Sequence, residues 1–63
     1  MNYIINNLIN FNNKNTAYDE ARNFGIGCMK SGWNRKDIAE IALGLYQNRV
    51  IDDSVYYGFC AGL

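Results

Sequence analysis

Residues that commonly carry out catalysis or bind metals are scarce in this chain. It holds two cysteines, Cys28 and Cys60, six aspartates and glutamates in total, and no histidine. Without histidine the chain lacks the commonest general base and metal ligand. Two thiols alone do not complete a tetrahedral zinc site within one chain. We therefore predict no metal, no cofactor and no catalytic residue, and we interpret the cysteines as buried thiols, while whether they are free stays open.

The positions of the acidic residues are typical of helix starts. Asp19 lies three residues after Thr16 and Asp37 lies three residues after Asn34, and both spacings are close to a capping box. The pair at 52–53 precedes another apolar segment and suits the same role. A chain of 63 residues also offers little room for a ligand pocket of about 300 Å³ or more. The sequence thus predicts a protein that is not an enzyme.

Aromatic and basic residues are the better candidates for a functional surface. Trp33 is followed closely by Arg35 and Lys36, and Tyr56 is adjacent to Tyr57. Tryptophan, tyrosine and arginine are over-represented among residues that dominate binding energy. We predict an interaction surface made of these five residues. The alternative interpretation is that the rings only cover the core and the charges are only solvated.

Helical periodicity recurs in four segments. The third, residues 35–48, shows the clearest pattern, with apolar side chains at 38, 41, 42, 45 and 46. Others are residues 2–11, a segment that begins after Thr16 and stops at Gly32, and residues 54–63. We predict an all-α protein, a small bundle of three to four short helices packed in an antiparallel or orthogonal arrangement. Residues 1–15 hold seven of the ten asparagines, and whether they are helix, strand or disordered stays open.

Glycines in two of these segments predict close contact between helices. Gly25 and Gly27 weaken the second helix unless another helix passes nearby. Gly58 and Gly62 are four apart, so they share one side of the last helix.

One short stretch resembles a DNA-binding motif. Residues 34–40, NRKDIAE, are similar to the first helix of a helix-turn-helix, although Gly44 follows Ala39 by five positions instead of four. The resemblance implies that residues 51–63 are the recognition helix, yet they contain two aspartates and no lysine or arginine. A helix that reads the major groove needs donors for bases and phosphates. Nucleic acid is therefore an unfavoured partner, and a DNA-binding regulator is the second hypothesis.

Length and charge set the remaining expectations. Sixty-three residues predict a single domain over 1–63, and six basic residues balance six acidic ones. No signal peptide or membrane-spanning segment is evident, so we expect a cytoplasmic protein with no membrane partner. The leading hypothesis is a small protein-interaction module that binds itself, as a homo-oligomer, or a heterologous protein. Its size is typical of phage and mobile-element accessory proteins that bind and modulate a host protein.

Overall fold

Four short helices make up the protein. The computed structural model describes residues 2–63, with side chains from Tyr3 onward. The helices are α1 (Asn2–Asn10), α2 (Ala17–Lys30), α3 (Arg35–Gln47) and α4 (Asp53–Gly62), and this part of the chain contains no strand. The all-α prediction is confirmed. The question left open for the start of the chain is answered as helix from Asn2, while Met1 lies outside the described residues.

Side-chain capping holds the start of α3 but not that of α2. The Asn34 Oδ1 accepts a hydrogen bond of 3.0 Å from the Asp37 backbone N–H, which confirms the predicted cap. Thr16 occupies the corresponding position before α2, but its hydroxyl makes no cap bond and donates instead to the Glu20 carboxylate, 2.5 Å away. This hydrogen bond lowers the pKa of Glu20, and the nearby Lys14 ammonium acts in the same direction.

Two helices end in the same left-handed turn. After α2, Gly32 has φ +89° and the Trp33 N–H donates to the Cys28 carbonyl over 3.1 Å, so the predicted stop at Gly32 is confirmed. After α3, Arg49 has φ 61° and the Val50 N–H reaches back to the end of the helix in the same way. A left-handed conformation costs a residue with a side chain about 1–2 kcal/mol, which glycine avoids.

The core is built mainly from aliphatic side chains and one aromatic ring. Phe59 on α4 is the largest fully buried side chain. The predicted stripe on α3 faces this core, with Ile38 and Ala42 buried and Leu45 partly buried against them. Both cysteines are free. Cys28 is buried, as predicted, and this burial raises the pKa of its thiol, whereas Cys60 is only partly buried. The buried hydrophobic residues are Ile4, Leu8, Ala17, Ala21, Cys28, Ile38, Ala42, Ile51, Val55 and Phe59.

Three glycines allow the backbones of α2 and α4 to touch. A Cβ atom on Gly58 would overlap the Tyr18 carbonyl oxygen, and one on Gly62 would overlap the Arg22 carbonyl oxygen. From the other side, a Cβ on Gly25 would lie 2.6 Å from the Phe59 carbonyl oxygen. The predicted close approach is therefore confirmed at these three positions.

The expectation for Gly27 is wrong. A Cβ atom built there meets no heavy atom within 4 Å, because this residue faces outward on α2.

The two helices in closest contact run in the same direction. Gly58 lies against Tyr18 and Gly62 lies against Arg22, so residue numbers rise together along both helices. In a bundle whose consecutive helices alternate in direction, every second helix is parallel, so this pair does not conflict with the predicted bundle. Here α3 carries the chain back between α2 and α4, and the tightest contact forms between helices that are not consecutive.

A hydrogen-bonded clamp joins the turn after α1 to the connection before α4. The Asn12 Nδ2 donates to the Val50 carbonyl over 2.9 Å, and its Oδ1 accepts from the Asp52 N–H over 3.0 Å. The Asp52 carboxylate accepts from the Asn13 N–H over 2.7 Å. Asp52 stands at the N-cap position of α4, but its side chain makes no cap bond. Two of the asparagines near the start of the chain therefore fix the position of the last helix.

Replacing Gly58 with alanine should destabilise the fold, because the added methyl group overlaps the Tyr18 backbone. We expect a loss of roughly 1–3 kcal/mol in the free energy of unfolding, measured by urea denaturation. Gly44→Ala is the matched control, since a Cβ there meets no atom within 4 Å. The control should gain about 0.5–1 kcal/mol from helix propensity. Equal effects of the two substitutions would show that α2 and α4 do not touch at Gly58.

Replacing Asn12 with alanine should remove both side-chain bonds of the clamp. We expect the free energy of unfolding to fall by roughly 1–2 kcal/mol, since each bond contributes about 0.5–1.5 kcal/mol. Asn15→Ala is the control, because the Asn15 side chain makes no hydrogen bond within residues 2–63. If the two variants have the same urea midpoint, the clamp contributes nothing to the free energy of unfolding.

Candidate interaction surfaces

Two exposed aromatic rings stack at one end of the molecule. Tyr3 from α1 and Trp33 from the α2–α3 connection lie nearly parallel, at 9°, with ring centroids 6.4 Å apart. Tyr3 is 58% exposed and Trp33 is 37% exposed. Beneath them Phe24 contacts Tyr3 at 5.6 Å and Phe59 at 5.8 Å between centroids. The exposed stack is therefore supported by the core. We call Tyr3, Phe24 and Trp33 the Trp33 face.

A half-open cavity of about 240 Å³ lies at this face. Gly27 contributes no side chain to it, which leaves space on the outer side of α2. Neither the Tyr3 hydroxyl nor the Trp33 indole N–H has a hydrogen-bond partner within residues 3–63. The lining residues are Tyr3, Asn23, Phe24, Gly27, Cys28, Ser31 and Trp33.

Positive charge is concentrated next to this cavity along the chain. Lys30, Arg35 and Lys36 are exposed and lie within three residues of Trp33, and Asp37 is the one acid in residues 30–37. Within residues 2–63 the one ion pair joins Lys14 to Glu20, so these three cations are unpaired. Arg35 and Lys36 stand in the first turn of α3, where the helix dipole disfavours cations. Their placement therefore does not serve helix stability.

Three tyrosines form a second aromatic group, which we call the tyrosine cluster. Tyr46 stacks on Tyr56 with centroids 4.4 Å apart and an interplanar angle of 4°. Tyr57 packs edge-on against both rings, at 5.8 Å and 5.3 Å. Tyr57 is 54% exposed, whereas Tyr56 is partly buried. All three rings therefore contact one another, and Tyr57 is the one that is exposed to solvent.

The surroundings of Tyr46 and Tyr56 raise the pKa values of these two hydroxyls. The neighbouring Tyr57 hydroxyl raises the pKa of Tyr46 to about 12, and burial and the negative charge of Asp53 act in the same direction. Burial also raises the pKa of Tyr56. With raised pKa values, Tyr46 and Tyr56 are less suited to act as general bases near neutral pH.

A wide groove of about 620 Å³ lies next to Tyr46, so the expectation that the chain has little room for a pocket above about 300 Å³ is wrong. Charged residues of both signs line it, and one of them, Asp52, is held in the clamp to Asn13. The lining residues are Tyr46, Gln47, Arg49, Ile51, Asp52, Asp53 and Ser54.

The structure divides the predicted interaction surface into two parts. One part is the connection between α2 and α3 together with the first turn of α3, which holds Trp33, Arg35 and Lys36. The other part is the tyrosine cluster, which holds Tyr56 and Tyr57. Twelve residues of α3 between Asn34 and Tyr46 correspond to about 18 Å along the helix axis. No aromatic pair connects the two groups within the described chain.

Sequence reasoning missed Tyr3 as a member of the site. Tyr3 is exposed and stands next to the buried Ile4 of α1. Its partner Trp33 is thirty residues further along the chain. A contact of this kind has no local signature in the sequence.

No protein family model matches the chain, and no curated protein or solved structure is significantly similar to it. None of the helices described is both long and apolar enough to span a membrane. In the described part of the chain, no group of three His, Cys, Asp or Glu side chains is arranged to hold a metal ion.

The helix-turn-helix hypothesis assigns the recognition role to α4. This helix buries Val55, Gly58 and Phe59, and it contains no lysine or arginine. Asp53 adds a negative charge to its first turn. A helix of this composition offers neither cations for phosphates nor the usual donors for base edges. DNA binding stays an untested prediction, and the composition of α4 does not favour it.

Replacing Tyr57 with phenylalanine should lower the pKa of Tyr46 from about 12 towards 10, because the main group that raises it is removed. A raised folded-state pKa stabilises the fold below the unfolded-state pKa and loses that effect as pH rises through the folded value. The wild-type protein should therefore lose stability between about pH 10 and 12, and the variant less so. Absorbance titration of the phenolates measures this, with Tyr18→Phe as the control. An unchanged upper titration step in Tyr57→Phe would contradict the arrangement of the cluster.

Proposed function

We propose that this protein is a non-enzymatic interaction module that binds a partner protein through the Trp33 face. The observation that carries the proposal is the exposed Tyr3–Trp33 stack beside a half-open cavity. Large aromatic side chains next to a pocket are typical of the residues that dominate protein–protein binding energy. The unpaired Arg35 and Lys36 extend this surface with charge. The expectation that the protein is a phage accessory protein rests on chain length alone and stays a prediction.

The Trp33 face suits this role better than the tyrosine cluster does. Tyr46 and Tyr56 cover part of each other's ring surface by stacking, and Tyr57 packs against both rings. The adjoining groove has charged walls. At the Trp33 face, by contrast, aromatic surface, free hydrogen-bonding groups and an unfilled cavity occur together. A partner can bury apolar area there without first displacing an internal contact.

Replacing Trp33 with alanine should abolish capture of the partner. Wild-type protein, Trp33→Ala and Tyr57→Ala are used as immobilised baits in nuclease-treated extract of the source cells, with quantitative mass spectrometry. A hot-spot residue contributes at least about 2 kcal/mol to binding, which corresponds to roughly thirtyfold in affinity. We expect one protein to be enriched by wild type and Tyr57→Ala and to be depleted at least tenfold by Trp33→Ala.

Circular dichroism confirms that each bait is folded. If Tyr57→Ala fails to capture the partner while Trp33→Ala captures it, the partner binds at the tyrosine cluster instead. If wild type and both variants capture the same proteins equally, the proposed function is wrong. Capture from a parallel untreated extract that is absent from the nuclease-treated extract would favour the DNA-binding hypothesis instead.

A further inference from the structure

We infer that the partner segment that docks on the Trp33 face is an acidic stretch of polypeptide with one apolar anchor side chain. This inference rests on the proposed function and adds the chemistry of the partner. The anchor enters the cavity between α2 and the Tyr3–Trp33 stack. Carboxylates on either side of it then face Lys30, Arg35 and Lys36.

The dimensions of the cavity favour a single side chain as its occupant. Its volume of about 240 Å³ is below the roughly 300–1,000 Å³ of pockets for free small molecules. An apolar cavity of about 150 Å³ is already sufficient for a benzene ring. The cavity is therefore of a size that suits one aromatic or branched aliphatic side chain. Phe24 and Trp33 provide apolar walls for it.

The charges determine what lies next to the anchor. Residues 30–37 carry three cations and one carboxylate, although the chain as a whole is neutral. Arg35 and Lys36 stand at the positive end of the α3 dipole, so their fields add to it. An acidic segment relieves this unfavourable concentration of positive charge, whereas a basic or neutral segment does not.

Free donors at the rim match the same chemistry. The Trp33 indole N–H and the Tyr3 hydroxyl have no hydrogen-bond partner among the side chains and backbone of residues 3–63. Both groups can donate to a carboxylate or to a backbone carbonyl of the bound segment. Nucleic acid is less suited, because α3 also carries Asp37 and Glu40 close to the same cations.

The test uses a short fluorescein-labelled peptide with one phenylalanine flanked by glutamates. Binding to the full chain is followed by fluorescence anisotropy over a range of salt. Matched peptides replace phenylalanine with alanine or the glutamates with glutamine, and a labelled single-stranded oligonucleotide tests the nucleic-acid alternative. We expect the first peptide to bind at least about tenfold more tightly than either control peptide and to weaken as salt rises.

Two pairs of variants separate the cavity from the charges. Gly27→Leu places a side chain in the cavity without a clash at its Cβ, and Gly44→Leu is its control on α3. Gly27→Leu should weaken binding at least tenfold and Gly44→Leu should leave it unchanged. Arg35→Glu with Lys36→Glu should weaken binding at least tenfold, whereas Arg22→Glu should change it by less than about twofold.

Each result has a distinct meaning. Equal binding of all three peptides, or full binding by Gly27→Leu, overturns the inference. Preferential binding of the oligonucleotide overturns it in favour of nucleic acid, and concentration-dependent self-association that Gly27→Leu blocks overturns it in favour of a second copy. If wild type captures a partner in a Trp33-dependent manner but ignores the acidic peptide, this inference fails while the proposed function stands. If it does neither, both fail.

Discussion

The contact between the backbones of α2 and α4 is the constraint on which the rest of the structure depends. It requires glycine at 25, 58 and 62, and it leaves no room for a methyl group at any of these positions. With α4 held this closely, Phe59 reaches the core and supports Phe24, which in turn supports Tyr3. The exposed stack at the Trp33 face is therefore connected to the central helix pair through a continuous series of aromatic contacts.

The two ends of the molecule are stabilised by different means. At the end that carries the tyrosine cluster, polar groups are mutually satisfied, as in the bonds of Asn12 and Asp52 and the stacking of Tyr46 on Tyr56. At the end that carries Trp33, the described residues leave Lys30, Arg35 and Lys36 without an ion pair, beside an unfilled cavity. Arg49 at the other end also forms no ion pair within the described residues. What distinguishes the Trp33 end is therefore a concentration of like charge next to exposed aromatic surface, which favours a binding role there.

The sequence predicted local features well, because each has a local cause. The stripe on α3, the Asn34 cap and the Gly32 stop all depend on residues within a few positions of one another. Features that depend on distant residues were missed or only partly predicted. The parallel contact of α2 with α4, the use of Asp52 by Asn13 rather than as a cap, and the pairing of Tyr3 with Trp33 join segments that only the folded chain brings together. Two of the five residues of the predicted interaction surface, Tyr56 and Tyr57, proved to belong to a separate cluster for the same reason.

The clamp has a consequence for how the molecule folds. Asn12 and Asp52 are forty residues apart, and the Tyr18–Gly58 contact spans a similar length of chain. Most small helical proteins fold rapidly because their contacts are local in sequence. Here the decisive contacts close a loop that contains most of the chain, so neither half has a complete core of its own. The fold should form as one cooperative unit, more slowly than its helix content suggests, and hydrogen exchange should protect α2 and α4 together.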